Sequence, residues 1–283
     1  MRFHHLVIAC MTVAALEACK GSTTGHPTTA VTPPLAYVRY FNAVPDTLPL
    51  DFRAVDQIEF SQPFLAVPFR AIGLGNYQGY QPGSRKIRVF PNSTDLATTS
   101  SILVDTTVTL TAGTYYSFLH VGYARAGQVP KQGLVVLMDD LTSPGASIAI
   151  RVANVGADLG NVDVYVTAGA TDPLPATPTF ANVAFTGVTA YSTRAPGAFT
   201  VRVFAAGTTT PALITKTAPT GSAATITGTT DIGGSNMAGS MMTMMVYSKA
   251  VLGSQASVTT GSTTNTTPTV VYWIDKNPPG IAP

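Results

Sequence analysis

Cysteine is almost missing from this chain: Cys10 and Cys19 are the only two in 283 residues. Both precede the body, so the body holds no disulfide, no thiolate nucleophile and no thiolate metal site. Histidine is nearly as scarce. Beyond residue 19 only His26 and His120 remain, which excludes a three-histidine zinc site. Charged residues make up 11% of the chain, against about 25% in an ordinary soluble protein. The net charge of +2 supplies no field to gather DNA or RNA, so no nucleic-acid partner is expected. There is no Gly-x-Ser-x-Gly elbow to present a nucleophile and no Gly-x-x-x-x-Gly-Lys phosphate loop. The chain is rich instead in threonine, serine and turn formers, with 25 glycines and 21 prolines.

What is present is a long repeat. Val38-Arg39-Tyr40-Phe41-Asn42 returns as Ile150-Arg151-Val152-Ala153-Asn154, and Leu50-Asp51-Phe52 as Val162-Asp163-Val164. Pro82-Gly83 and Ile87-Arg88-Val89-Phe90 return as Pro196-Gly197 and Val201-Arg202-Val203-Phe204. Val135 to Asp140 returns as Val270 to Asp275. The period is a whole domain, too long for a solenoid of small repeats. The spacing predicts two domains, 35–141 and 147–277, with a linker at 142–146 and a tail at 278–283.

The N-terminus reads as an address. Arg2 precedes the apolar run Leu6–Leu16, which has signal-peptide length and is too short to cross a bilayer. Leu16-Glu17-Ala18-Cys19 then resembles a bacterial lipobox, which implies cleavage after Ala18 and lipidation of Cys19; Glu17 departs from the small or apolar residue usual there. A diacylglycerol thioether plus an N-acyl chain makes a stable anchor, where a single chain is marginal. Residues 19–34 (CKGSTTGHPTTAVTPP) are rich in Gly, Ser, Thr and Pro and read as a tether. The expected place is the bacterial cell envelope, at the outer membrane or cell surface in a Gram-negative cell.

The body reads as strands. Ala36–Phe41, Lys86–Phe90, Ile102–Leu110, Tyr115–Val121 and Leu134–Met138 are short, β-branched or aromatic, and bounded by turn formers. The second copy offers Ile148–Val152, Val162–Val166, Thr200–Phe204, Ala223–Thr227, Met241–Tyr247 and Val270–Ile274, with Thr259–Thr269 as a hairpin tip. No segment has a 3.6-residue apolar period. The expected fold class is all-β, a sandwich or barrel.

The order Arg-Val-x-Asn, Val-Asp-Val-Tyr-Val, Pro-Gly-x-x-x-Val-Arg-Val and a late hydrophobic-Asp strand resembles the DUF4397 family of bacterial envelope proteins. The second copy carries it most fully, in Arg151-Val152-Ala153-Asn154, Asn161 to Val166 and Pro196-Gly197. The first copy has Arg39-Tyr40-Phe41-Asn42 and Leu50-Asp51-Phe52, with Gln57–Phe69 inserted or rewritten. The resemblance implies two tandem immunoglobulin-like or transthyretin-like antiparallel β-sandwich domains. It implies no catalytic residue and no cofactor.

Four groups of side chains bear on chemistry. Asp46, Asp51 and Asp140 recur as Asp158, Asp163 and Asp275. Repeated carboxylates suit Ca²⁺ or simply turns that bond their own backbone. Met237, Met241, Met242, Met244 and Met245 crowd into nine residues. Thioethers select Cu(I), but on a strand Met242 and Met244 face one way and Met241 and Met245 the other; core packing is the alternative. Arg85, Lys86 and Arg88 form an anion patch or an ordinary solvated sheet face. Arg39 and Arg151 read as internal partners for carboxylates, and Asn42 and Asn154 as strand-ending residues. Asn92 and Asn265 head sequons read as polar loops.

The reading that results is a non-catalytic envelope lipoprotein, a binding or spacer module held to the membrane by its anchor, with an envelope protein or glycan as its possible partner. A glycan-acting hydrolase is the alternative, and needs two acids about 5–10 Å apart in a cleft. Copper binding by the methionines is a weaker one. With 11 charged side chains after Leu141, the second copy is expected to offer the apolar contact to a partner.

Overall fold

Strands form here in two patterns, set by whether one face or both are covered. Outer strands alternate. The computed structural model describes residues 34–74, 76–260 and 263–279, and its β7 (Val104–Leu110, VDTTVTL) exposes every second residue. Central strands do not alternate. β10 (Ile148–Asn154) and β16 (Met241–Tyr247) are buried at every position, as expected where both sheet faces are packed. Strand accounts for 43% of the chain and helix for 2%. The signal segment, Cys19 and residues 20–33 of the tether lie outside the described residues, as do 280–283.

In the first half, β1 (Ala36–Asn42) pairs in parallel with β8 (Tyr115–Val121). It pairs antiparallel on its other side with β4 (Ala71–Ile72) and β5 (Gln78–Tyr80). β9 (Gly133–Asp139) closes the far side of β8. A second, antiparallel sheet has the order β3 (Phe64–Val67), β2 (Leu50–Ala54), β6 (Gly83–Pro91), β7. One helical turn, α1 (Leu96–Thr99), is capped by Asp95.

The second half repeats this order. β13 (Ser192–Arg194), β10, β16 and β19 (Thr269–Lys276) form one sheet, with β10 and β16 parallel. β12 (Phe180–Val183), β11 (Val162–Thr167), β14 (Thr200–Ala205) and β15 (Ile214–Thr217) form the other. β17 (Thr259–Thr260) and β18 (Thr263–Thr264) make a two-stranded hairpin inside the segment expected as a hairpin tip. The expected strand at Ala223–Thr227 is absent. That segment is a turn region, with Asp231 Oδ1 accepting from the Ala224 amide. Its one large apolar side chain, Ile226, stays exposed, whereas Ile214 reaches the core and draws β15 onto the sheet.

Three apolar clusters hold the body together. Tyr40, Phe52, Phe64, Val89 and Phe118 centre the first half. Val152, Val164, Phe199, Val203, Met242 and Met244 centre the second. The third lies between them: Phe41, Phe69, Leu119 and Val121 of the first half meet Ala153, Val155, Met245 and Tyr247 of the second, with Trp273 beside them. The described residues accordingly belong to one compact unit.

Candidate functional site

On a strand, neighbours face opposite ways. Val38 and Tyr40 enter the core of the first half, so Arg39 and Phe41 turn towards the second. Arg151 on β10 is turned likewise towards the first. Both arginines are buried, at 1% and 5% exposure, and a buried guanidinium must find charge and hydrogen bonds.

Each finds its counter-charge in the opposite half and a further hydrogen bond in its own. Arg39 Nη2 donates to Asp275 Oδ1 at 2.6 Å, and its Nε donates to Ser117 Oγ at 2.7 Å. Arg151 Nη2 donates to Asp139 Oδ1 at 2.5 Å, and its Nε to Thr243 Oγ1 at 2.8 Å. The hydroxyls pass the chain on: Ser117 donates to Asp139 at 2.5 Å and Thr243 to Asp275 at 2.6 Å. Tyr77 and Tyr191 each complete one carboxylate at 2.8 Å. Their rings also stack on the guanidinium groups, at 4.5 Å in both halves. The pattern is reciprocal, as in an isologous dimer interface.

The charges balance two against two. Burial opposes the charge on Arg39, but Asp275, Tyr77 and Asp139 outweigh it and raise the pKa. Arg151 is raised in the same way, burial being offset by Asp275 and Asp139. Burial pushes the Tyr77 and Tyr191 phenols upward, so both remain donors.

Asp275 therefore has a different counterpart from the one its sequence suggests. The repeated Val-Val aligns it with Asp140, but Asp140 is exposed. Leu137 pairs with Ser117 and Trp273 with Thr243, which makes Asp139 the equivalent residue. A one-residue slip moves a side chain to the opposite face, and this slip hides the network from the sequence.

Asp139 and Asp275 both lie within reach of Arg39 Nη2, at 3.6 and 2.6 Å, so the two acids are brought close together. Neither side chain has any exposed area, and two arginines occupy them. A cleft of about 580 Å³ between β9 and residues 188–191 touches the network only at Arg151 and Tyr191, beside Asp140.

Of the other repeated carboxylates, Asp46, Asp51 and Asp163 serve the backbone. Asp51 Oδ1 accepts from the Ala66 amide at 2.8 Å. Asp163 Oδ1 accepts from Asn182 at 2.7 Å and its Oδ2 from Gly207 at 2.7 Å. Ala66 and Asn182 both have positive φ, 51° and 49°, next to matching register shifts in the two halves. The aspartates thus clamp equivalent bulges. Asp46 accepts from the Ala124 and Arg125 amides. Asn42 and Asn154 end β1 and β10 and bond the Val67 and Val183 carbonyls. Among the described residues no three His, Cys, Asp or Glu groups converge as a metal site. Asp163→Ala strands two amides, and a loss of about 1–3 kcal/mol is expected in urea unfolding; no change would mean the clamp contributes nothing.

The methionines divide by face. Met242 and Met244 enter the core of the second half, and Met245 the cluster between halves, where it accepts from the Tyr247 hydroxyl at 3.3 Å. Met241 is buried and Met237 half-buried. His120 is fully buried between Tyr40 OH and Gln132 Oε1, each at 2.9 Å, and burial lowers its pKa to about 4. Arg88 and Lys86 pair with Asp105, and Arg85 with Asp56. Asn265 is buried rather than a surface loop residue, and its amide oxygen accepts from Arg70. Arg70 itself had no signal in the sequence. Its Nη2 donates to the Ser248 and Thr267 carbonyls at 2.5 Å, and burial lowers its pKa to about 10.

Residues 36–165 match the model of DUF4397, a domain of unknown function. The DUF4397 match runs from β1 to Tyr165 in β11. It takes in the half read as more diverged, and both Arg-x-x-Asn strands that face each other across the network. No curated protein matches the chain.

Proposed function

We propose that this protein is an exported lipoprotein, anchored through Cys19, and acts as a non-catalytic binding or spacer module of the cell envelope. In this reading its body is a tandem pair of immunoglobulin-like or transthyretin-like sandwiches, both of DUF4397 type, locked face to face. The observation that carries it is the use of the repeated polar residues. Arg39, Arg151, Asp139 and Asp275 join the halves, Asp51 and Asp163 clamp bulges, and His120 is enclosed in the core. Residues repeated for rigidity suit a scaffold whose loops, rather than its sheets, meet an envelope protein or glycan.

The test compares wild type with Cys19→Ser by intact mass and membrane fractionation. A diacylglycerol-sized adduct on the wild type, with the variant released to the soluble fraction, is the expected result. An unmodified wild type that is released equally would end the anchor reading.

A further inference from the structure

Large apolar side chains are exposed in both halves, and in the first half four of them lie between residues 58 and 74. Ile58 is 85% exposed, Phe60 49%, Leu65 52% and Leu74 54%. They sit on segments that meet at one edge. Leu65 lies on β3, the edge strand of its sheet. Leu74 follows Gly73, whose Cα abuts the Phe64 ring so closely that an added Cβ would lie 2.5 Å from it. The Phe60 carbonyl accepts from Gln81 at 2.9 Å, and Ser61 bridges to Tyr80. Phe60 and Leu74 hold positive φ, 50° and 53°. Such a backbone costs energy in a bulky residue and persists only where its surroundings impose it.

The repeat supplies a control. Ala181 and Asn182 stand where Leu65 and Ala66 stand in the first half, and between Val162 and Leu213 no large apolar residue is exposed among the described residues. Apolar exposure at this edge is therefore no requirement of the fold. Other large apolar side chains are exposed elsewhere, Leu96, Met138 and Leu252 among them, but here four gather in the rewritten segment and the turn beside it.

Ala36 pairs with Tyr80, the residue that bridges to Ser61, and Leu35 packs on Gly79. The described chain thus begins beside the patch. Fifteen residues separate Leu35 from Cys19, a reach of no more than about 55 Å. A short tether raises the local concentration of whatever it links.

We propose that Ile58, Phe60, Leu65 and Leu74 form a lipid-contact edge that rests at the headgroup–acyl boundary of the membrane holding the anchor. This rests on the anchor reading above. The apolar side chains enter the interface and orient the sandwich, and the acyl chains supply the hold. Glu59 is the one charge between Ile58 and Phe60, so neutral lipid suffices.

The absence of cysteine from the body makes the test clean. Ile58→Cys, Leu65→Cys and, as control, Leu252→Cys (71% exposed in wild type) are spin-labelled in the full acylated chain on phosphatidylcholine vesicles. Collision with dioxygen is compared with collision with a water-soluble nickel chelate. Labels at 58 and 65 are expected to favour dioxygen several-fold over the control. An acylated, vesicle-bound chain whose labels stay as aqueous as the control overturns the edge and leaves the anchor standing. Labels shielded from both reagents mean that protein covers the edge, which also overturns it. A chain with no acyl adduct removes the anchor and the proposal together.

Discussion

Asp275→Ala is expected to lower the unfolding free energy by about 3–5 kcal/mol, the range for removing one partner of a buried ion pair. The substitution leaves Arg39 with no carboxylate closer than Asp139 at 3.6 Å, in a site 1% exposed. It also strands the Thr243 and Tyr191 hydroxyls, which donate to the same carboxylate. Asp139→Ala removes the equivalent acceptor from Arg151, Ser117 and Tyr77 and should cost a similar amount. Asp275→Asn keeps the shape and loses the charge, so a smaller loss is expected. The chain reports on this itself. Its single tryptophan is Trp273, two residues from Asp275 and 5.5 Å from Phe41 across the boundary. Urea titration followed by tryptophan fluorescence measures the loss; a change below about 1 kcal/mol, the scale of a surface pair, would mean the network holds nothing together.

Acid should weaken the fold through His120. Burial holds its folded pKa at about 4, below the ordinary 6.5. As pH falls, the unfolded chain takes up this proton first. The contribution is therefore complete above pH 6.5, is lost progressively between 6.5 and about 4, and is flat below. The gap corresponds to roughly 3 kcal/mol. Protonation would also force a second donor on a ring that meets Tyr40 OH on one side and Gln132 Oε1 on the other. His120→Gln preserves polar contacts and does not titrate. Wild type should lose stability between about pH 7 and pH 4.5 by more than the variant does, as the linkage relation requires. Equal slopes would place the acid sensitivity elsewhere, among the carboxylates.

The two halves differ at this position in an instructive way. His120 lies opposite Asn42, and Val246 lies opposite Asn154. Tyr40 and Val152 differ to match. The second core is aliphatic where the first is aromatic and polar, so acid acts on the first half alone through this route.

Much of the fold was legible along the chain. β-branched strands and frequent turn formers predict an all-β body because strand pairing needs only local pattern and a burial face. The offset of the two Arg-x-x-Asn strands marks their equivalence, and the arginines read as partners for carboxylates because a charge within an apolar strand needs one. Which carboxylate was not legible. Asp139 and Asp140 are adjacent in sequence, and only the ladder register decides which of them faces inward. Arg70 has no counterpart in the repeat, Thr186 standing in its place, and its partners are carbonyls some 180 to 200 residues away.

By itself the sequence determined the composition of the surface, the repeated motifs and the strand content, because each is read from residues along the chain without reference to packing. The tertiary structure decided that the two halves share a third core, that each arginine answers the other half's aspartate, and that the methionines part across a strand. Those outcomes depend on which strand faces lie against each other, and that is settled by packing distant segments rather than by any local preference.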